Sequence, residues 1–313
     1  MWQEILDILK GEEFISLQKL TNQFNITSLQ LNEILLKLGN LGYEIKGNPY
    51  LGYRINKIPD RLFPWEVRYN LDTEIFGKKI YYFENITSTQ DIAFRLSYKE
   101  EGTLIIAENQ TKGRGRWGRG WFSFPYKGLY FSLIFKPQDS FKLSLLSLLL
   151  SVSVAEATEE IFKIKIGIKW PNDLILKNKK LAGVLTEVCR EKESVIVVGG
   201  VGVNVNNEKQ ELPPSGISLK EFFGKKINRL ELLKEILRKI ERNYVLFKEK
   251  KSHILEKWHK YNITLGKKVE VILNNQKIEG IASALDEFGH LLVRKDNGEM
   301  EKIVNPQVFR QSL

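Results

Sequence analysis

Residues 112–121 read Lys-Gly-Arg-Gly-Arg-Trp-Gly-Arg-Gly-Trp, and a segment that alternates glycine with arginine is poorly suited to a core. It is suited to wrapping an anion. Glycine admits positive φ and close backbone approach, while Arg114, Arg116 and Arg119 present planar, permanently charged forks that match phosphate or carboxylate oxygens. No acidic residue occurs from Asn109 to Gln138, a stretch that also carries Lys112, Lys127 and Lys136, so the local field is positive. Strand-like runs flank it, Thr103 to Glu108 before and Leu129 to Phe135 after, which makes it a connection between two core strands rather than a tail. Structured connections of this length are usually functional. Alone, the segment fits a bound mononucleotide or polynucleotide, including an Arg-Gly patch stacking on bases.

The rest of the chain divides into three parts, expected at residues 1–60, 61–262 and 263–313. In the first, apolar residues recur at helical spacing as Ile5, Leu6, Leu9, then Leu17, Leu20, Phe24, then Leu31, Ile34, Leu35, Leu38. Thr27 or Ser28 is a candidate N-cap, and residues 42–55 read as a β-hairpin. This is the pattern of a winged helix-turn-helix with Ser28 to Asn40 as the helix offered to a major groove. Ser28, Gln30 and Asn32 are its candidate DNA contacts, equally readable as exposed polar helix residues. Six basic residues stand against seven acidic ones up to Asp60, so one such module has little charge with which to neutralise phosphates.

In the second part, strand signals at 79–83, 103–107, 129–135, 164–169, 174–176, 184–188 and 195–205 alternate with helix signals at 89–97, 141–162 and 230–248. Asn178-Lys179 marks a hairpin, so the sheet is expected to be mixed or antiparallel with helices against one face. Gly200-Val-Gly202 lacks the third glycine and the following helix of a dinucleotide fingerprint. In the third part, four alternating runs with turns at Asn274-Asn275, Asp286 to Gly289 and Asp296 to Gly298 predict a small SH3-like barrel. The fold class is therefore α+β.

Composition narrows the setting. The chain has 313 residues, 42% of them hydrophobic, enough for real cores in two or three domains. Its net charge is +10, yet none of that excess lies in the first 60 residues. A single cysteine, Cys189, excludes an internal disulfide framework and reads as a strand packing residue. His253, His259 and His290 show no metal-ligand spacing with it, and no metal site is expected. The N-terminus lacks the regions of a signal peptide, and the longest apolar stretch, Leu143 to Ala157, is too short to span a bilayer; a cytoplasmic protein without membrane contact is expected.

Glu108-Asn-Gln110-Thr-Lys-Gly113-Arg-Gly-Arg116-Trp-Gly-Arg119-Gly-Trp121 resembles the adenylate-binding loop of bacterial biotin protein ligases. Lys169-Trp-Pro-Asn-Asp173-Leu, Lys180-Leu-Ala-Gly183-Val-Leu-Thr-Glu187 and Val201-Gly-Val-Asn204-Val match further family motifs in the same order. Four ordered matches within about a hundred residues are far more specific than any one of them. Some members of that family double as biotin operon repressors. The resemblance implies a class II synthetase-like catalytic domain, biotin as substrate, ATP and Mg²⁺ as co-substrates, a biotin carboxyl carrier protein as partner, operator DNA, and a ligand-promoted homodimer.

It also implies roles for single residues. Ser88, Thr89 and Gln90 match the Ser-Thr-Asn that hydrogen-bonds the biotin ring, with Gln90 one methylene too long; Ser88 also reads as a plain N-cap. Gln110 borders the biotin pocket, and Arg114, Gly115 and Arg116 cover the ligand. Arg116 and Lys180 are the principal catalytic candidates, stabilising charge on phosphate and carboxylate as pyrophosphate leaves. Gly113, Arg119, Trp121, Asn172, Asp173 and Asn204 support nucleotide or loop. Asn172 and Asp173 orient polar groups, or Asp173 simply caps a strand end; Lys180 is alternatively a solvated hairpin lysine. Trp117 stands where the family often has another basic residue. The loop is expected to order over the intermediate and keep water from it. Two other functions share the same features: a lipoate or octanoate ligase, and a biotin-sensing DNA-binding regulator without ligase activity.

Overall fold

The computed structural model describes residues 1–311 except 12, 138–142, 192–193, 251 and 274–275, and leaves the side chains of 143, 189–191 and 194 undescribed. Phe141 as a helix start, the turn at Asn274-Asn275 and the packing of the Cys189 side chain therefore lie outside the described residues. The chain forms two compact units, Met1–Arg61 and Leu62–Leu313.

The first unit holds α1 (Trp2–Leu9), α2 (Leu17–Phe24), α3 (Ser28–Asn40) and an antiparallel hairpin of β1 (Glu44–Asn48) and β2 (Gly52–Lys57). Ile5, Leu6 and Leu9 of α1, Leu20 of α2 and Leu31, Ile34 and Leu38 of α3 are buried, as the helical spacing selects; of the other three it selects, Phe24 and Leu35 are half-buried and Leu17 is exposed. Thr27 caps α3: its side chain accepts from the Gln30 N–H while the Gln30 Oε1 accepts from the Thr27 N–H at 2.9 Å. Gln30 is thereby turned back onto the helix end, and it is exposed, as are Ser28 and Asn32. Leu29 and Leu36 are also exposed, 69% and 68%, on this helix. At Gly52, with φ +103°, a Cβ would stand 2.0 Å from the Ile15 carbonyl oxygen, so only glycine fits.

The second unit is built on a seven-stranded sheet ordered β3-β4-β5-β9-β8-β7-β6. Its strands are β3 (Ile80–Ile86), β4 (Leu104–Gln110), β5 (Leu129–Phe135), β6 (Gly167–Lys169), β7 (Asp173–Leu176), β8 (Lys179–Glu191) and β9 (Ser194–Val203). Only β3 and β4 run parallel, so the sheet is mixed. Its helices are α4 (Pro64–Arg68), α5 (Thr89–Arg95), α6 (Leu143–Phe162), α7 (Leu219–Phe223), α8 (Arg229–Glu249) and α9 (Ser252–Tyr261).

The expectation of helices on one face is corrected here. Leu104, Ile106, Leu133 and Phe135 join the large core with α6, α8 and α9, while the alternate residues Ile105 and Ile134 pack with Ala93 of α5, Ile196 and Val198 on the other side. Every residue of β5 is buried for that reason. Lys177 and Asn178, at φ +47° and +59°, make the two-residue turn of the β7–β8 hairpin.

A second sheet, ordered β13-β12-β11-β10-β14, comprises β10 (Lys268–Leu273), β11 (Gln276–Leu285), β12 (Leu291–Arg294), β13 (Met300–Ile303) and β14 (Val308–Gln311), all pairs antiparallel. It joins the same core: the Trp170 N–H donates to Thr264 Oγ1 at 2.8 Å and the Trp170 indole N–H to the Gly289 carbonyl at 3.0 Å. Among the described residues, no helix is long and apolar enough to cross a membrane.

Candidate active site

The β5–β9–β8 region carries glycines where bulk is needed elsewhere, and this opens a cleft of about 190 Å³. At Gly202 a Cβ would come within 2.5 Å of the Trp121 indole, and at Gly200 within 2.7 Å of Gln90 Oε1. At Gly183 it would meet the same indole at 3.1 Å. The two glycines dismissed as a dinucleotide motif thus form the floor against which Trp121 and Gln90 lie. Gly202→Ala is expected to force the indole off this floor at a cost of about 1–3 kcal/mol, the usual scale of overpacking, read as a lower midpoint of thermal unfolding.

One end of the cleft is a network of neutral polar groups at the start of α5. Ser88 caps the helix, its Oγ accepting from the Gln90 N–H at 3.2 Å. Gln110 Oε1, at the end of β4, accepts from the Thr89 N–H at 2.8 Å and from its hydroxyl at 3.1 Å, while Gln110 Nε2 donates to Ser123 at 3.0 Å. Ser132 contacts both Thr89 Oγ1 and Gln90 Oε1 at 2.8 Å, and Gln90 Nε2 donates to Glu187 at 2.9 Å. Ser88, Thr89 and Gln90 are all at least 97% buried. The longer amide of Gln90 is accommodated because Gly200 leaves room for it.

The other end is cationic. Lys180 Nζ lies 2.6 Å from Asp173 Oδ1 and 5.4 Å from the centre of the Trp121 ring. It lines the cleft, whereas its neighbours point elsewhere: Lys177 over Phe222 and Lys179 toward Glu221. Asp173 begins β7 and is partly exposed. Asn172 donates to the Val184 carbonyl and accepts from the Val184 N–H, which fixes the turn after the cis Trp170–Pro171 bond. Lys169 also lines the cleft; burial first, then the adjacent Lys180, pulls its pKa below the ordinary lysine value, with Asp173 opposing.

The glycine-arginine loop covers this end as a closed turn. Trp121 donates its N–H to the Gly113 carbonyl at 2.9 Å and Gly115 to the Arg119 carbonyl at 2.6 Å, with Trp117 and Gly118 at φ +57° and +71° between them. Arg114 pairs with Asp91 at 3.0 Å and Glu187 at 3.2 Å. Arg116 donates to Asn305 Oδ1 at 2.7 Å and the Pro306 carbonyl at 3.3 Å; the Trp117 indole donates to that carbonyl at 2.7 Å, and Arg119 to the Gln307 carbonyl at 3.2 Å. Burial brings the Arg116 pKa down to about 10, against the attraction of Asp173 and with repulsion from Arg119, so it stays charged at neutral pH.

Of the expected site residues, Gly113 and Asn204 stand behind the wall rather than on it. Gly113 anchors Trp121 as above. Asn204 is 5% exposed and donates to the carbonyls of Lys180 and Ile217, holding the strand that presents Lys180. The other residues expected at the ligand, Gly115, Arg119 and Trp121 included, line the cleft, while Ser28, Gln30 and Asn32 lie on α3. Sequence reasoning gave no role to Lys169, Asp91, Glu187 or Ser132, although Lys169 begins one quoted motif and Glu187 ends another. It gave none to Asn305, Pro306, Gln307 and Phe309, which reach the site only through tertiary folding. Arg310 pairs with Glu270 at 2.8 Å on the surface. Among the described residues, no three His, Cys, Asp or Glu side chains converge as a metal site.

Residues 82–204 match the Biotin/lipoate A/B protein ligase family and residues 264–304 the Biotin protein ligase C terminal domain. The chain is 33% identical over 310 residues to the bifunctional ligase/repressor BirA of Bacillus subtilis, covering 95% of this chain and 94% of that protein. To the BirA of Escherichia coli K12 it is 28% identical over 300 residues, 94% and 92% of the two chains. The solved biotin protein ligase from Aquifex aeolicus in complex with biotin and ATP superposes with a TM-score of 0.66 at 36% identity, covering 75% of this chain and 100% of that one.

Proposed function

The chain belongs to the biotin protein ligase family, and from that premise we propose that its cleft joins biotin to ATP as biotinyl-5'-AMP and passes the biotinyl group to a lysine of a biotin carboxyl carrier protein. One observation carries this reading. A single cleft holds a buried hydroxyl-and-amide network at one end and Arg116, Arg119, Lys169 and Lys180 at the other. The network offers the donors and acceptors a cyclic urea needs, through Ser88, Thr89, Gln90 and Ser132, with Gln110 bracing Thr89. The cations offset the repulsion between a carboxylate and a triphosphate, and they favour the pentacoordinate phosphorus more than either anion apart.

Adenylation proceeds by attack of a biotin carboxylate oxygen on the α-phosphorus. The bond to the bridging oxygen breaks and pyrophosphate departs with its electron pair. Arg116 and Lys180 stabilise the charge that builds on the non-bridging oxygens, and Asp173 holds the lysine in place beforehand. Mg²⁺ fits as a companion of the nucleotide rather than a resident ion, because Asp173 is the cleft's carboxylate and already faces Lys180; it would screen phosphate charge. The loop then shields the mixed anhydride from water. Arg116→Gly should speed escape of the adenylate from the enzyme, and an unchanged dissociation rate would remove Arg116 from the cover.

We further propose three domains at 1–60, 61–262 and 263–313, the first a winged helix-turn-helix and the last an SH3-like barrel. The helix order, the hairpin after α3 and the five short antiparallel strands support this. Operator binding by the first domain is part of the proposal. Because its charge is slightly negative, the proposal has a pair of copies, formed with ligand, supply the affinity that one module lacks. The test is biotin-dependent ATP–pyrophosphate exchange scored beside incorporation of labelled biotin into a carrier, with a gel shift on operator DNA. Exchange with lipoate or octanoate but none with biotin would overturn the substrate, and a biotin-dependent gel shift without incorporation would make the chain a regulator only.

A further inference from the structure

A second cavity of about 500 Å³ adjoins the cleft, and Arg116, Trp170, Pro171 and Val184 line both. Its remaining wall comes from Thr186 of β8, from the start of α6 (Ser144, Ser147, Leu148) and from connections of the second sheet (Phe288 to His290, Val304, Asn305). Val304 is 43% exposed, which places one end of the cavity at the surface. The volume is that of a ligand site, and the lining is largely apolar. The chemistry assigned to the cleft leaves this space unused.

One titratable group on its wall is built for proton transfer. His290 Nδ1 lies 3.1 Å from Asp286 Oδ2, and Asp286 Oδ1 accepts from the His290 and Phe288 backbone N–H groups at 2.9 Å. Asp286 is itself held by Lys302 at 2.7 Å. These contacts hold its carboxyl at about 2, so it is ionised throughout the working range. A carboxylate on Nδ1 fixes the tautomer whose Nε2 is the basic nitrogen. The charged groups around the ring are Asp286 on its own turn, Lys302 on β13 and Arg116 on the loop; α6 contributes serines and Leu148 only.

We propose that this cavity admits the acceptor lysine of the carrier, its aliphatic stem against Leu148, Pro171 and Val304, and that His290 takes the proton from its ammonium. The proposal rests on the ligase reading above and names where that reaction's second substrate enters. A lysine is about 10³-fold more often ammonium than amine at neutral pH, so transfer needs a proton acceptor. His290 Nε2 removes one proton from the ε-ammonium. The freed electron pair attacks the acyl carbon of the mixed anhydride, the C–N bond forms, and the C–O bond to phosphate breaks with AMP leaving. The second proton on nitrogen goes to solvent, as does the one on His290.

The experiment is single-turnover transfer from enzyme-bound biotinyl adenylate to a purified carrier domain, followed from pH 6.5 to 10, with pyrophosphate exchange on the same preparations. His290→Gln should slow transfer by on the order of 10²-fold at neutral pH, and the deficit should shrink as pH approaches the lysine value of about 10.4. Val304→Trp, at the exposed mouth, should raise the carrier KM while adenylation continues. Transfer by His290→Gln at the wild-type rate with an unchanged pH profile overturns the role of His290, and a wild-type carrier KM in Val304→Trp overturns the route. Loss of exchange in the wild-type protein would instead sink the ligase reading itself.

Discussion

Lys180→Met is expected to abolish most of the adenylation rate, lowering it about 10²- to 10³-fold, the penalty usually seen when one preorganised charge donor is removed from a developing oxyanion. Methionine keeps an unbranched apolar stem at a position whose ammonium lies over the Trp121 ring, so the fold and the neutral end of the cleft are expected to be retained. The backbone of Lys180 is fixed independently, its N–H donating to Ser215 and its carbonyl accepting from Ile217 and Asn204. Loss of the ammonium is therefore the only substantial change, apart from leaving Asp173 facing the nucleotide with its charge uncompensated. Rapid-quench measurement of adenylate with saturating biotin and ATP reads the effect. A rate within threefold of wild type would show that this ammonium does not meet the reacting phosphate.

Arg229→Met is the variant expected to harm the fold most. Arg229 and Glu108 are both fully buried, and their ion pair at 2.8 Å sits beneath the strand that ends in Gln110. Arg229 also donates to the Gly128 carbonyl at 3.0 Å, and Glu108 accepts from the Leu62 N–H at 2.9 Å and the Tyr82 hydroxyl at 3.3 Å. Removing one partner strands a carboxylate without its cation, which costs about 3–5 kcal/mol. For a unit of this size that is on the order of 10 °C in the unfolding midpoint. The double variant Glu108→Gln, Arg229→Met should unfold at a higher temperature than Arg229→Met alone, because the stranded charge is gone. If the two unfold together, charge desolvation is not the source of the loss.

What could be read from the chain beforehand depended on whether the signal was local. The limits of α3 were legible at Ser28 and Asn40 because its start is written in four residues, Thr27 to Gln30. The β7–β8 hairpin was legible within one residue, since a two-residue turn constrains its own sequence. Of the cleft's motif residues, Thr89, Gln90, Gln110 and Lys180 lie on elements that the periodicity located, whereas Arg114 to Trp121 lie on a loop that only its glycine-arginine pattern marked. By contrast α9 went unread although Ile254, Trp258 and Tyr261 mark its buried face, because charged residues dilute the pattern over only ten positions. The second helical face escaped because a strand buried on both sides loses the alternation that reveals which side is covered, as in β5. The hold of Asn305 to Gln307 on the loop depends on pairings 188 to 190 positions apart, which no local window contains.

The groups that grip Arg116, Trp117 and Arg119 belong to residues 305–307, so a chain growing from its N-terminus has made the whole cleft floor before it makes the clasp. A polypeptide halted on the ribosome short of that point would possess the floor of the cleft without the anchorage of the loop over it. Closure of the cleft on its cover side thus waits on residues made after every strand of its floor.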